Sequence, residues 1–134
     1  MDKSIVVLVI DDDADDQEFF QIAVEKIGYQ VECHFVDDCL KGLKLLENID
    51  FNPDFIFVDV NMPKMNGLEC LEKIRAMARL NQVPVYLYST SSDKNISDKC
   101  LALGGSGLIK KETSIAAIRE RLRCTFEKHF SSAS

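Results

Sequence analysis

Six consecutive apolar residues, Ile5-Val6-Val7-Leu8-Val9-Ile10, stop abruptly at three aspartates, Asp11-Asp12-Asp13. A strand with one face in water alternates apolar and polar side chains. An unbroken run belongs to a strand covered on both faces, as in parallel sheets with helices above and below. Further runs follow. Residues 31–36 read as a second strand, and 54–58 as a third, entered through the turn Asn52-Pro53. Val83-Pro84-Val85-Tyr86-Leu87-Tyr88 reads as a fourth, with its proline at the opening positions where a missing donor is tolerated. A short fifth covers about Gly107 to Lys110.

Between the runs the apolar period changes to that of a helix. Phe20, Ala23, Val24 and Ile27 recur at helical spacing, and Gly28 ends that segment where a left-handed residue is wanted. Asp37 or Asp38 can cap a second helix with Cys39, Leu43 and Leu46 on one face. A third follows Gly67 with Leu68, Leu71, Ile74 and Ala78 inward. Asp93 can cap a fourth, with Ile96, Cys100 and Leu103 inward and Gly104-Gly105 at its end. Thr113 or Ser114 caps a fifth that carries Ile115, Ile118, Leu122 and Phe126 in one stripe. Five strand–helix units with short connections imply an α/β fold: a parallel sheet covered on both faces. At 134 residues the chain holds one domain, 1–134, burying roughly two-thirds of its unfolded surface. Its core is expected over about 4–129, with a flexible tail at 131–134.

Composition narrows the function. Hydrophobic residues make up 46% and charged ones 28%, a globular balance. A net charge of −6 leaves no basic surplus to neutralise phosphates, so no nucleic-acid partner is expected. The five cysteines, Cys33, Cys39, Cys70, Cys100 and Cys124, form an odd count with no CxxC pair. Reduced thiols in a cytoplasmic protein are the expectation, without a disulfide framework or zinc site. The first apolar run is far too short for a signal-peptide core or a membrane span.

The carboxylates carry the chemistry. Asp11 to Asp13 follow the first strand, and Asp59 ends the apolar run Phe55-Ile56-Phe57-Val58. Ligands in parallel α/β sheets bind beyond the carboxyl ends of the strands, so these charges meet in one crevice. Carboxylates that close raise one another's pKa or need a cation, and an oxygen-only donor set suits a hard ion such as Mg2+. The same sheet edge receives Ser89-Thr90 and Lys110-Lys111. An EF-hand is excluded, because counting from Asp11 the sixth residue is Asp16 and the twelfth Ile22. A nucleotide-binding phosphate loop is excluded by five aspartates within residues 11–16.

Asp59-Val60-Asn61-Met62-Pro63-Lys64-Met65-Asn66-Gly67 matches the D-x-x-M-P-x-x-x-G loop of response regulator receiver domains. With the paired aspartates, the hydroxyl and the lysine in the same order, the chain resembles that family over roughly residues 4 to 129, in its stand-alone, chemotaxis-regulator-like form. The resemblance implies a doubly wound, flavodoxin-like five-stranded sheet, order 2-1-3-4-5, with five helices. It implies a cytoplasmic phosphorelay signalling protein, not a metabolic enzyme, with Asp59 as phosphoacceptor and Ser89 and Lys111 stabilising the phosphoryl group. It implies Mg2+ held by Asp11, Asp12, Asp59 and the backbone carbonyl of Asn61. Asp13 is then a helix-start charge, and Asp15, Asp16 and Glu18 a solvated first turn. Asn61 and Ser91 sit where the family sets the rate of hydrolysis. The implied partners are a histidine kinase or histidine phosphotransfer protein and a separate downstream target, with a monomer or a phosphorylation-linked homodimer as the state. Lys99, Arg119 and Arg123 lie on the dimer-forming face.

Two positions depart from the family pattern. Glu112 stands where a proline usually follows the lysine through a cis peptide. A cis bond before a non-proline residue costs roughly 2.5–4 kcal/mol, so a trans, locally rearranged loop is expected. Leu108 replaces the usual aromatic of the last strand, which leaves Tyr86 and Tyr88 to couple phosphorylation to the surface or simply to pack. The alternative these departures support is a pseudo-receiver, an interaction module with the same fold that is not phosphorylated.

Overall fold

The computed structural model describes residues 4–91 and 93–133. Its strands are β1 (Ile5–Ile10), β2 (Val31–Val36), β3 (Phe55–Asp59), β4 (Val85–Ser89) and β5 (Gly107–Lys110). Its helices are α1 (Ala14–Glu25), α2 (Cys39–Leu46), α3 (Gly67–Arg75), α4 (Lys94–Ala102) and α5 (Ile115–Ala133). Every neighbouring pair of strands is parallel, in the order β2-β1-β3-β4-β5. This is the doubly wound sheet expected from the sequence. The order reverses between β1 and β3, and there the crevice opens at the carboxyl ends. Ile10 pairs with Val58, so the next residue on each strand is an aspartate, Asp11 or Asp59.

The apolar runs have the predicted cause. Every residue of the central strands β3 and β4 is buried, while the edge strands β2 and β5 are only partly so. Alternate side chains feed two cores. One, beneath α1 and α5, is built on Phe20, Phe55, Phe57, Tyr86, Tyr88 and Phe126. The other, beneath α2, α3 and α4, is built on Leu8, Ile10, Ile56, Val58, Leu71, Leu87 and Cys100. Caps hold the helices in register. Asp38 accepts from the Lys41 N–H, Asp93 from Asn95 and Ser114 Oγ from Ala117. Asn66 and Glu69 form a reciprocal capping box at the start of α3. Gly28 takes the left-handed conformation, φ +97°, after α1.

Three expectations need correction. Ala78 is exposed, because α3 ends at Arg75 and a 3₁₀ turn over Ala78–Leu80 turns Leu80 inward instead. The fourth strand begins after Pro84, not at Val83, since proline has no donor for the ladder. Cys39 and Cys70 form a disulfide, with their Cα atoms 5.8 Å apart, leaving Cys33, Cys100 and Cys124 free. The two cysteines are 31 residues apart. They meet because α2 and α3 are neighbours on one face of the sheet, a tertiary fact that no local spacing betrays. The described part of α5 runs to Ala133, and Ser134 lies outside the described residues.

Candidate functional site

The crevice is assembled by backbone and side chain together. Asp13 caps α1, its Oδ1 accepting from the N–H groups of Asp15 at 2.8 Å and Asp16 at 3.2 Å. This ties the acidic turn to the helix and removes Asp13 from the crevice, in keeping with its expected role. Asp11 is 1% exposed. Its Oδ1 accepts from the Asp13 N–H at 2.9 Å, and its carbonyl accepts from Gln17 Nε2 at 2.7 Å. Asp12 projects into solvent at the mouth.

Asp59 is 5% exposed and accepts from the Asn61 N–H at 3.1 Å. The loop behind it closes tightly: Val60 N–H donates to Tyr88 C=O, and Gly67 N–H donates to Val60 C=O, each at 3.0 Å. A Cβ on Gly67 would lie 2.6 Å from the Asp59 carbonyl oxygen and 2.8 Å from Val60 Cα. The glycine of the loop motif is thus required by the close approach of α3 to the end of β3.

Burial separates the adjacent candidates. Ser89 is fully buried at the end of β4, its Oγ accepting from the Ser91 N–H at 3.1 Å, whereas Thr90 is exposed. Lys110 is exposed, and Lys111 turns inward with 9% of its side chain accessible. The Lys111 N–H donates to Ser89 C=O at 2.7 Å, which seats the lysine beside the hydroxyl. Its Nζ lies 2.7 Å from Asp16, 3.1 Å from Asp11 and 3.4 Å from Asp59, with the Tyr88 ring beneath it at 5.3 Å. Asp16 is therefore part of the charged cluster and not of a solvated turn. Its spacing from Asp12, one helical turn, was the available signal; without knowledge of where Lys111 falls, that spacing reads as an ordinary exposed face.

The electrostatics follow from burial. Desolvation pushes Asp59 up to about 6, helped by the charge of Asp11 and opposed by Lys111 and the Asn61 N–H. Burial likewise raises Asp11. For Lys111, burial disfavours the ammonium, but the hydrogen bond to Asp16 and the charges of Asp11 and Asp59 outweigh it and raise its pKa. Oxygen atoms of Asp11, Asp12 and Asp59 come within 4.8 Å of one another. Oδ2 of Asp11 is buried without a hydrogen bond, the Lys111 ammonium being in ion-pair range only. An all-oxygen set with an unsatisfied buried carboxylate oxygen fits a hard divalent cation, so these residues could hold a metal.

The response regulator receiver domain family matches residues 7–123. The chain belongs to that family. It is 28% identical over 128 residues to the chemotaxis protein CheY-3 of Vibrio cholerae serotype O1, covering 96% of both chains. Its fold is that of the phosphorylated cyanobacterial phytochrome response regulator RcpA, with TM-score 0.86, 23% identity and 98% of each chain covered. It is similarly close to the Mn2+-bound response regulator Rcp1, with TM-score 0.76, 22% identity and 89% of each chain covered. Receiver domains are phosphoacceptor signalling proteins of two-component systems. They interact with histidine kinases and with downstream targets, and are generally not enzymes in the usual sense.

This receiver's departures have a visible structural answer. No peptide among the described residues is cis, so the bond before Glu112 is trans. The Glu112 side chain is taken by Arg121 of α5 at 2.7 Å. Leu108 packs into the aliphatic core beside α4, whereas Tyr86 and Tyr88 are buried in the opposite, aromatic core. Arg119 and Arg123 pair along α5 with Glu120, and Arg123 also with Glu127. No helix among the described residues is long and apolar enough to cross a membrane.

Proposed function

We propose that the protein is a cytoplasmic single-domain response regulator that accepts a phosphoryl group on Asp59 from the phosphohistidine of a histidine kinase or phosphotransfer protein. The observation that carries the reading is the meeting of two buried carboxylates, Asp11 and Asp59, with the buried ammonium of Lys111 at the switch point of the sheet.

Asp59 attacks phosphorus through a carboxylate oxygen, forming an acyl phosphate as the P–N bond to the donor histidine breaks. Its Oδ1 is oriented by the Asn61 N–H. The Ser89 hydroxyl donates to one phosphoryl oxygen, and Lys111 stabilises charge on another as it accumulates in transfer. Asp11, Asp12, Asp59 and the Asn61 carbonyl are the residues that would hold Mg2+. Such an ion would neutralise the clustered carboxylates and supply positive charge to stabilise the transferring phosphoryl group. Asn61 and Ser91 are small, polar and exposed, which leaves water a path to the acyl phosphate. Hydrolysis then ends the signal, and a separate protein reads it while it lasts. Cys39 and Cys70 are buried, so reduction of their bond in a reducing cytoplasm requires local opening of α2 from α3.

The test is intact-protein mass after incubation with acetyl phosphate, with and without Mg2+, for wild type and Asp59→Asn. The expected result is an adduct of one phosphoryl group in wild type that requires Mg2+ and is absent from the variant. No adduct in either, under conditions that label another receiver, would establish the pseudo-receiver reading instead.

A further inference from the structure

Lys111 is held most closely by the acidic group least buried. Asp16 is 2.7 Å from its Nζ and keeps 29% of its side chain accessible, whereas Asp11 at 3.1 Å and Asp59 at 3.4 Å are 1% and 6% accessible. Among the described residues, the Asp16 contact is also the one that meets hydrogen-bond geometry at Nζ. The peptide after Lys111 is trans, and Glu112 is tied to Arg121, away from the crevice. The direction of the lysine side chain is therefore set from the first turn of α1, where the Asp13 cap fixes the Asp16 backbone.

We infer that Asp16 is a positioning residue which draws the Lys111 ammonium toward α1 and so keeps Asp11 and Asp59 available to a divalent cation. A lysine shared among three carboxylates competes with any cation for the same oxygens. Moving its closest contact onto a partly solvated carboxylate outside the ligand set relieves that competition and keeps the ammonium within reach of the phosphoacceptor. Without Asp16, Nζ would settle between Asp11 and Asp59, the two charges already 3.1 and 3.4 Å away. A cation would then have to displace it. The inference rests on the proposed metal-dependent phosphoacceptor role, but its test reads cation binding directly.

Mg2+ affinity is measured by calorimetry for wild type, Asp16→Asn, Asp15→Asn, and the same two substitutions in a Lys111→Met background. Asp15 is the exposed neighbour that removes the same charge from the same turn. Asp16→Asn should weaken Mg2+ binding roughly three- to ten-fold, and Asp15→Asn less than about two-fold. In the Lys111→Met background the two should become equal, because no ammonium is left to misplace. Equal effects of the two substitutions with Lys111 present would overturn the inference, as would an Asp16→Asn effect that persists undiminished without the lysine. Absence of Mg2+ binding in wild type would overturn it as well. Acetyl phosphate labelling of the same set separates this idea from the functional reading. Wild-type labelling with uncoupled Mg2+ affinities removes the role of Asp16 alone. Coupled affinities without labelling of Asp59 remove the phosphoacceptor role and leave the positioning role standing.

Discussion

The two faces of the sheet are filled with different material. Beneath α1 and α5 the core is aromatic, with Phe57 against Phe20, Tyr86, Phe55 and Phe126 at centroid distances of 5.3 to 6.4 Å. Beneath α2, α3 and α4 it is aliphatic and sulfur-bearing, with Leu8, Ile56, Leu71, Leu87, Cys100 and the buried Cys39–Cys70 bond. Ring pairs like those on the aromatic side pack with preferred geometries. That side carries the parts of the site that aim Lys111, Tyr88 below it and Asp16 on α1. The aliphatic side carries α4 and Leu108, the residue that stands where the family usually has an aromatic. The two layers thus divide: the contacts that aim Lys111 stand on the aromatic side.

The sharpest way to break this comparison is truncation on each side. Phe57→Ala should cost about 3–5 kcal/mol and Leu87→Ala about 2–5 kcal/mol by denaturant unfolding. Phe57→Ala alone should also slow labelling of Asp59; equal loss of labelling in both variants would remove the division. Next in size is reduction of Cys39–Cys70, which closes a chain segment of 31 residues. Chain-entropy reasoning puts its stabilisation at roughly 3.5–4 kcal/mol. Unfolding with and without a thiol reductant measures it, and intact mass should rise by about 2 Da on reduction. If the layers are independent, Lys111-dependent properties should not change.

Gly67→Ala acts at the seam between the layers. The added methyl would press on the Asp59 carbonyl and Val60 Cα, costing about 2 kcal/mol and slowing phosphorylation by displacing Asp59. Full stability with full labelling would show that the loop yields more easily than its backbone packing implies.

The smallest expected effect is electrostatic. Asp59 is raised from 3.8 to about 6 by burial, so the folded chain holds a proton between roughly pH 4 and 6 that the unfolded chain has released. Stability from the neutral carboxyl is present below that window and is lost as pH rises through it. In metal-free buffer at pH 7, Asp59→Asn should therefore be more stable than wild type by about 1–2 kcal/mol, and the difference should close below about pH 4. Thermal unfolding across pH 3.5 to 7 checks it. A variant less stable than wild type at pH 7 would mean that its pairing with Lys111 outweighs burial.

Much of this was legible in the chain itself. The apolar runs marked β1, β3 and β4, because a strand covered on both faces admits few polar residues, whereas the edge strands β2 and β5 carry Glu32, His34 and Lys110 and are only partly buried. Asp37 or Asp38, Asp93, and Thr113 or Ser114 announced helix starts because unpaired N–H groups need an acceptor within two or three residues, and the structure chose Asp38 and Ser114 from the two pairs. The acidic triplet, Asp59, the Ser89-Thr90 and Lys110-Lys111 pairs and the loop ending at Gly67 all lie at strand ends, so their convergence followed from the order of strands and helices. What tertiary structure decided was which neighbour points inward and which distant groups touch. Ser89 and Lys111 turn inward while Thr90 and Lys110 are exposed, since adjacent residues differ mainly in which side of the backbone they occupy. Cys39 meets Cys70, and Lys111 reaches Asp16 across 95 positions, because helices packed on a common sheet become neighbours. Local pattern records the period of each element, whereas such contacts depend on how whole elements are laid side by side.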